Sequence, residues 1–159
     1  MMDKNYSFKS ERLVFRGITR EDADAIVAWR SNPANYKNFL NAKPITKEDH
    51  LKWFEGYLAN PARFDFLILE SDEKPIGTCA LSDITEDSCE ISYMIGDESC
   101  RGKGYAKEAV RALTKVAFEE LGVKEIIARI LTHNEASMHV VLGSGFSEYE
   151  RIYRIENNE

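Results

Sequence analysis

The stretch Arg101-Gly102-Lys103-Gly104-Tyr105-Ala106 sets two glycines and two cations between a strand-like run, Cys89 to Ile95, and a helix-like run, Lys107 to Leu121. A Gly-rich turn that opens a helix leaves backbone N–H groups free and aims the positive helix end at them. That is a seat for a phosphate or pyrophosphate. The glycines let the backbone approach a ligand with no Cβ in the way. Further along stands a second polar group, Asn134-x-x-Ser137, ending in Gly145-Phe146. Glu90, at the start of the strand-like run before the turn, is a carboxylate that could accept a proton.

These groups need a scaffold, and the hydrophobic pattern supplies one. Arg12 to Ile18 reads as a first strand, and Thr19-Arg-Glu-Asp22 as a capping box that opens a helix ending before Asn32-Pro33. Thr46-Lys-Glu-Asp49 repeats the signal for a second helix, with Leu51, Phe54 and Leu58 on one face. Strands are expected over Phe64 to Glu70, Pro75 to Leu81 and Glu90 to Ile95, separated by polar turns. In the helix after the glycine turn, Ala109, Val110, Leu113, Val116, Ala117 and Leu121 fall at helical spacing, and Gly122 stops it. A strand Glu125 to Leu131, a short helix Ala136 to Leu142 and a last strand near Phe146 to Ile155 complete the expected order β-α-α-β-β-β-α-β-α-β. The fold class is α/β (α+β), a single domain over residues 8–156 with a central mixed, mostly antiparallel sheet and a polar N-terminal segment 1–7.

Composition narrows the chemistry. With 159 residues the chain is large enough for one core without disulfides or metals. Its net charge of −6 argues against non-specific nucleic-acid binding and favours a cationic partner such as an amine. No apolar run approaches the ~20 residues of a membrane span, and the polar start predicts no secretory leader. Cys79, Cys89 and Cys100 form no disulfide framework and read as free thiols of a cytoplasmic protein. His50, His133 and His139 lack metal-ligand spacing, so no metal is expected. There is no Gly-x-x-x-x-Gly-Lys-[Ser/Thr] motif, and Gly102-x-Gly104-x-x-Lys107 fails the dinucleotide fingerprint at its third position.

Arg101-x-x-Gly104-x-Ala106 alone is weak, since such a pattern occurs by chance in roughly one chain in seven of this length. Joined to Asn134-x-x-Ser137…Gly145-Phe146 in the right element context, it resembles the GNAT superfamily of acyl-coenzyme-A-dependent N-acetyltransferases. The resemblance covers essentially the whole chain and implies acetyl-CoA as donor. It implies that the backbone of Arg101, Gly102, Lys103, Gly104, Tyr105 and Ala106 cradles the pyrophosphate. The strand Tyr93-Met94-Ile95-Gly96 would pair with the pantetheine arm, and the amide of Met94 or Ile95 would polarise the thioester carbonyl. Asn134 would hydrogen-bond the same arm.

For catalysis the resemblance implies direct transfer to an amine in a ternary complex. Glu90 is the candidate general base, its alternative being an exposed strand carboxylate. Many members carry a tyrosine seven residues after the motif asparagine; here Val141 stands there and cannot donate a proton. Ser137 is the substitute candidate, with helix capping or coenzyme contact as its alternative role. Tyr149 and Tyr153 are weaker candidates. A non-catalytic acyl-CoA sensor gains weight from Val141.

Acceptor pockets in this superfamily are built largely from the first two helices. Here the region reads Trp29-Arg30-Ser31-Asn32-Pro33, Phe39-Leu40 and Thr46 to Phe54. The Trp-Arg…Asn-Pro pattern resembles the branch containing ribosomal-protein N-terminal acetyltransferases, and also amino-sugar-nucleotide acetyltransferases. Trp29, Arg30 and Phe39 are the candidate substrate contacts. Trp29 could instead simply pack, and Arg30 could bind an acceptor's carboxylate or phosphate or pair with Asp22 or Asp24. The acceptor is a small-molecule or peptide amine, and the protein a monomer or homodimer.

Overall fold

Phe64–Glu70 becomes the middle of the sheet because both its faces are covered. Phe64, Phe66 and Ile68 join one core, while Leu67 and Leu69 join a second. The computed structural model describes residues 2–158. Its strands are β1 (Ser7–Lys9), β2 (Leu13–Gly17), β3 (Phe64–Glu70), β4 (Pro75–Ser82), β5 (Ser88–Ile95) and β6 (Glu125–Ala128). They form one sheet in the order β1-β2-β3-β4-β5-β6. Every pairing is antiparallel except β5 with β6, which is parallel.

The helices are α1 (Ala23–Arg30), α2 (Pro33–Tyr36), α3 (Lys47–Leu58), α4 (Tyr105–Val116) and α5 (Glu135–Leu142). Ala109, Val110, Leu113 and Val116 give α4 a continuous apolar stripe, buried with Phe15, Phe66, Ile76, Leu81 and Ile91 on one face of the sheet. On the other face Ile26 of α1 and Phe54 and Tyr57 of α3 cover Leu67 and Leu69. Both capping signals are used. Thr19 opens the 3-10 turn Arg20–Asp22 that leads into α1, and the Thr46 hydroxyl accepts from the Asp49 amide at 3.1 Å. Gly122, in the left-handed region at φ 67°, stops the helical run after a π turn over Ala117–Leu121.

The structure differs from the expected order in four places. Ser7–Lys9 forms a further strand, because Phe8 stacks on Phe15 at 4.4 Å and meets Phe66 edge-on at 5.1 Å. The preceding segment packs with it, and Met2 is buried. Asn32 caps the additional helix α2, its side chain accepting from the Ala34 amide at 3.0 Å. The sixth strand ends at Ala128, not Leu131, because pairing with β5 stops at Ile91–Ala128. The last strand is not formed: among the described residues 147–158 pair with no neighbouring strand. Tyr149, Ile152, Tyr153 and Ile155 stand exposed. An alternating apolar segment becomes a strand only where a partner edge accepts its backbone groups. Among the described residues no helix is long and apolar enough to cross a membrane.

Candidate acyl-transfer site

The strand β5 outruns its neighbour. It pairs with β6 as far as Ile91 and then continues through Ser92, Tyr93, Met94 and Ile95 with β4 on one side only. At its end the Gly96 amide donates to the Ile76 carbonyl of β4 at 2.8 Å. Backbone groups alternate sides along an antiparallel strand, so Met94 and Ser92 also direct their amides to β4. Tyr93 and Ile95 direct theirs away, into the gap beside β6. Of the two amides considered as carbonyl donors, Ile95 is therefore open and Met94 engaged.

The gap leads to the glycine turn. Gly102 and Gly104 adopt φ of 74° and 78°, a region that costs other residues strain, and Gly104 is the N-terminal cap of α4. Among the described residues the amides of Gly102, Lys103 and Gly104 have no acceptor, and those of Tyr105 and Ala106 belong to the unbonded first turn of the helix. The Arg101 amide is spent on the Glu98 carbonyl at 3.3 Å, so the free amides begin one residue later than expected. Arg101 turns its side chain inward and donates from Nη2 to the Asn35 side chain. Asn35, buried, donates in turn to the carbonyls of Trp29 at 2.9 Å and Gly96 at 3.3 Å. One amide side chain thus ties α1, the end of β5 and the glycine turn together.

Positive charge surrounds the seat. An open groove of about 450 Å³ beside Gly104 is lined by Lys9, Arg12, Lys107, Arg111 and Lys115 among others. Opposing this, Glu108 accepts from the Ser10 hydroxyl at 2.6 Å and from the Arg12 amide and Nε at 2.7 Å each. Partial burial would raise its pKa. Those hydrogen bonds outweigh it and hold the carboxyl below its ordinary value.

Glu90 lies at the far end of β5, opposite Ser82 of β4. Its side chain is largely covered, and Oε2 accepts from Arg129 Nε at 3.2 Å. Arg129 follows the last residue of β6, where the two strands part. Asn134 caps α5: its Oδ1 accepts from the Ser137 amide at 3.3 Å. The Tyr93 hydroxyl donates to the Ser137 carbonyl at 3.3 Å, which brings a phenol to the start of α5. Burial, partly offset by that hydrogen bond, raises its pKa. Val141 is buried in the apolar layer.

Trp29 packs on the end of β5. A Cβ at Gly96 would overlap its indole, so the glycine and the ring specify each other. Phe39 lies beside Arg30, whose guanidinium is 5.5 Å from the ring centre. The two acids offered to Arg30 are taken by other cations. Asp22 binds Arg16 at 2.8 and 2.9 Å, and Asp24 binds Lys47 at 2.9 Å. Sequence reasoning missed Asn35, Arg129, Glu108 and the hydroxyl of Tyr93, because each gains its role from a chain segment remote in sequence. The spacing of none of them signals it.

Residues 12–147 match the family model described as Acetyltransferase (GNAT) domain. An N-acetyltransferase of Bacillus licheniformis is 31% identical over 150 residues, 87% of this chain and 81% of that protein. An uncharacterised protein of Methanocaldococcus jannaschii is 29% identical over 157 residues, 92% of this chain, and the chain spans only 32% of that protein's length. Among solved structures, ribosomal-protein-S5-alanine acetyltransferase from Vibrio fischeri superposes with a TM-score of 0.71 at 25% identity, covering 89% of this chain and 83% of that one. Spermidine N-acetyltransferase from Vibrio cholerae, solved with CoA and spermine, shares the fold, with a TM-score of 0.83 at 19% identity over 89% of this chain and 84% of that one. The chain belongs to the GNAT acetyltransferase family, a family of acyl transfer to amines.

Proposed function

We propose that this protein is an N-acetyltransferase that moves an acetyl group from acetyl-CoA to a primary amine by direct transfer in a ternary complex. The amine belongs to a protein N-terminus, an amino-sugar nucleotide or a small amine. The observation that carries the reading is the splay of β5 from β6, whose free strand edge runs straight into an amide-lined turn at the start of α4. The fit is specific: Gly104 has no side chain to fill the seat, and its φ of 78° favours glycine.

The amides of Gly102 to Ala106 hold the pyrophosphate, and Asn134 and the open edge of β5, including Gly96, hold the pantetheine arm. Bound acetyl-CoA supplies a thioester carbonyl. The Ile95 amide points into the gap and orients that carbonyl. An alkyl ammonium with pKa near ~10.4 is only about one part in a thousand neutral near pH 7, so a base is required. Glu90, five residues back along β5 from Ile95, takes the proton through intervening water, with Arg129 holding Oε2 in place and Oε1 available. Ser137 returns a proton to the departing thiolate, with the Tyr93 hydroxyl as the adjacent O–H. Trp29 shapes the acceptor entrance by packing, while Arg30 and Phe39 face the acceptor.

Calorimetry with acetyl-CoA tests the donor site. In Gly104→Glu binding should weaken beyond ~100 μM, because a side chain and a negative charge occupy the anion seat. Unchanged affinity rejects the assignment. A thiol-release assay over amines, N-terminal peptides and amino-sugar nucleotides tests turnover. Tight binding of coenzyme A with no turnover on any acceptor would identify an acyl-CoA sensor instead.

A further inference from the structure

Two polar side chains on the acceptor side of the sheet lack the partners their burial demands. Arg30, at the end of α1, has its Nε buried with no hydrogen bond, and among the described residues its guanidinium forms no ion pair. His50, in the first turn of α3, is only 6% exposed, and its Nε2 also has no partner. Buried donors without acceptors are costly, and native proteins rarely keep them without a reason.

The charges around the pair are unbalanced. Arg63, just before β3, binds Asp65 through two hydrogen bonds of 2.6 and 3.0 Å. Lys4 reaches over the Tyr57 ring at 4.1 Å and donates to the carbonyl of Asn60 at 2.6 Å. Three cations, Arg30, Arg63 and Lys4, thus share Asp65, with Asp83 acting more weakly on Arg63 alone and Asp22 committed to Arg16, so the cations remain in excess. Burial first, and the Arg30 charge second, lower the His50 pKa, whereas Asp65 and Asp22 act weakly the other way. Phe39 and Trp53 supply aromatic walls, Trp53 lying 5.6 Å from the His50 ring.

Resting on the acetyl-transfer reading, we propose that Arg30 and His50 form an oxyanion subsite of the acceptor pocket, which holds a carboxylate or phosphate carried by the amine substrate. The guanidinium offers a planar fork of donors, and His50 adds a donor from Nε2 in the matching tautomer. The subsite lies on the side of β3. Asp65 pairs with Ala80, and Ala80 with Ser92 of β5, so two strand spacings, roughly 10 Å, separate it from the acetyl strand. Ile95, which orients the acetyl carbonyl, lies three residues beyond Ser92, so the substrate carries its anion roughly 14 Å from its amine. A polyamine brings a second cation to a region already in positive excess, and is disfavoured.

Histidine-selective NMR on the full chain tests this, with inorganic phosphate and, separately, acetate as probes. Coenzyme A is present to occupy its own seat. Exposed His133 and His139 serve as internal references. The His50 ring pKa should rise by about one unit or more at saturation with the anion that fits, because a nearby negative charge favours the protonated ring. In Arg30→Gln the apparent affinity for that anion should fall about tenfold or more, and Arg30→Lys should restore part of it. A His50 ring that responds to neither anion overturns the proposal, as does a response unchanged in Arg30→Gln. The wild-type titration decides even if a variant fails to fold.

The second arm is thiol release with ω-amino carboxylates and ω-amino phosphates of increasing length, against their uncharged amides. Preference for an anionic series identifies which group is bound, and equal rates for anions and amides overturn the proposal. If no amine turns over while His50 still responds, the acetyl-transfer reading fails and the anion site stands.

Discussion

Glu108 accepts two hydrogen bonds from Arg12, one from the backbone amide and one from Nε, each 2.7 Å long. The same guanidinium donates from Nη1 to the Lys103 carbonyl at 2.8 Å. Through this pair the turn between β1 and β2 grips both the first turn of α4 and the glycine loop. A carboxylate early in a helix is already favoured by the dipole, and here it also fixes the glycine turn through Arg12.

Glu108→Ala should therefore lower both stability and donor affinity. Removing a partly buried carboxylate that accepts three hydrogen bonds should cost about 1–3 kcal/mol. Urea unfolding reads that loss. Calorimetry should show weaker acetyl-CoA binding even in the folded variant, because the Lys103 carbonyl loses its fixed neighbour. A destabilised variant with wild-type affinity would show that the grip is structural only.

Asp97 sets an acid limit on the same loop. Its side chain accepts from the Ser99 hydroxyl at 2.7 Å and amide at 2.9 Å, and pairs with Lys74 at 3.1 Å. These contacts, the Ser99 hydroxyl first, lower its pKa to about 2. A carboxyl with a depressed folded pKa contributes stability that is complete above the unfolded value, near ~3.9, and is lost as pH falls through the folded value. The stability gap between wild type and Asp97→Asn should hold constant above about pH 5 and close towards about pH 2. A gap independent of pH would remove Asp97 from this role.

Glu90→Gln should lower kcat/KM by about 10²–10⁴ near neutral pH, with partial recovery as pH rises and more amine is already neutral. Ser137→Ala should cost about tenfold, since a coenzyme A thiolate leaves without full protonation. If Glu90→Gln keeps the wild-type rate and pH profile, the carboxylate serves only its pair with Arg129, and deprotonation by water without Glu90 is the better account.

How much of this could be read from residues alone differed by element. The glycine turn was legible because its physics is local: a left-handed backbone, a helix start and missing side chains are all encoded within Arg101–Ala106. The helix signals at Thr19, Thr46 and Gly122 were equally local. Where a partner was needed, local reading stopped. The segment after Phe146 reads as a strand yet pairs with no strand edge among the described residues, although the outer edge of β6 is open, while Ser7–Lys9 became a strand because Phe8 found Phe15 and Phe66.

The two motifs at Arg101–Ala106 and Asn134–Phe146, taken together, pointed to the family that the match over residues 12–147 shows, because their backbone and residue-type requirements are local. Only the tertiary structure decided which amide of β5 faces the gap, because that depends on the pairing of Gly96 with Ile76. It also decided the fate of Arg30. Asp22 and Asp24 are its neighbours in sequence, yet each is claimed by a cation on another element, Arg16 of β2 and Lys47 of α3. Electrostatic partners are chosen by distance in space, and folding leaves Arg30 near Asp65, which is already bound to Arg63, with no ion pair of its own among the described residues.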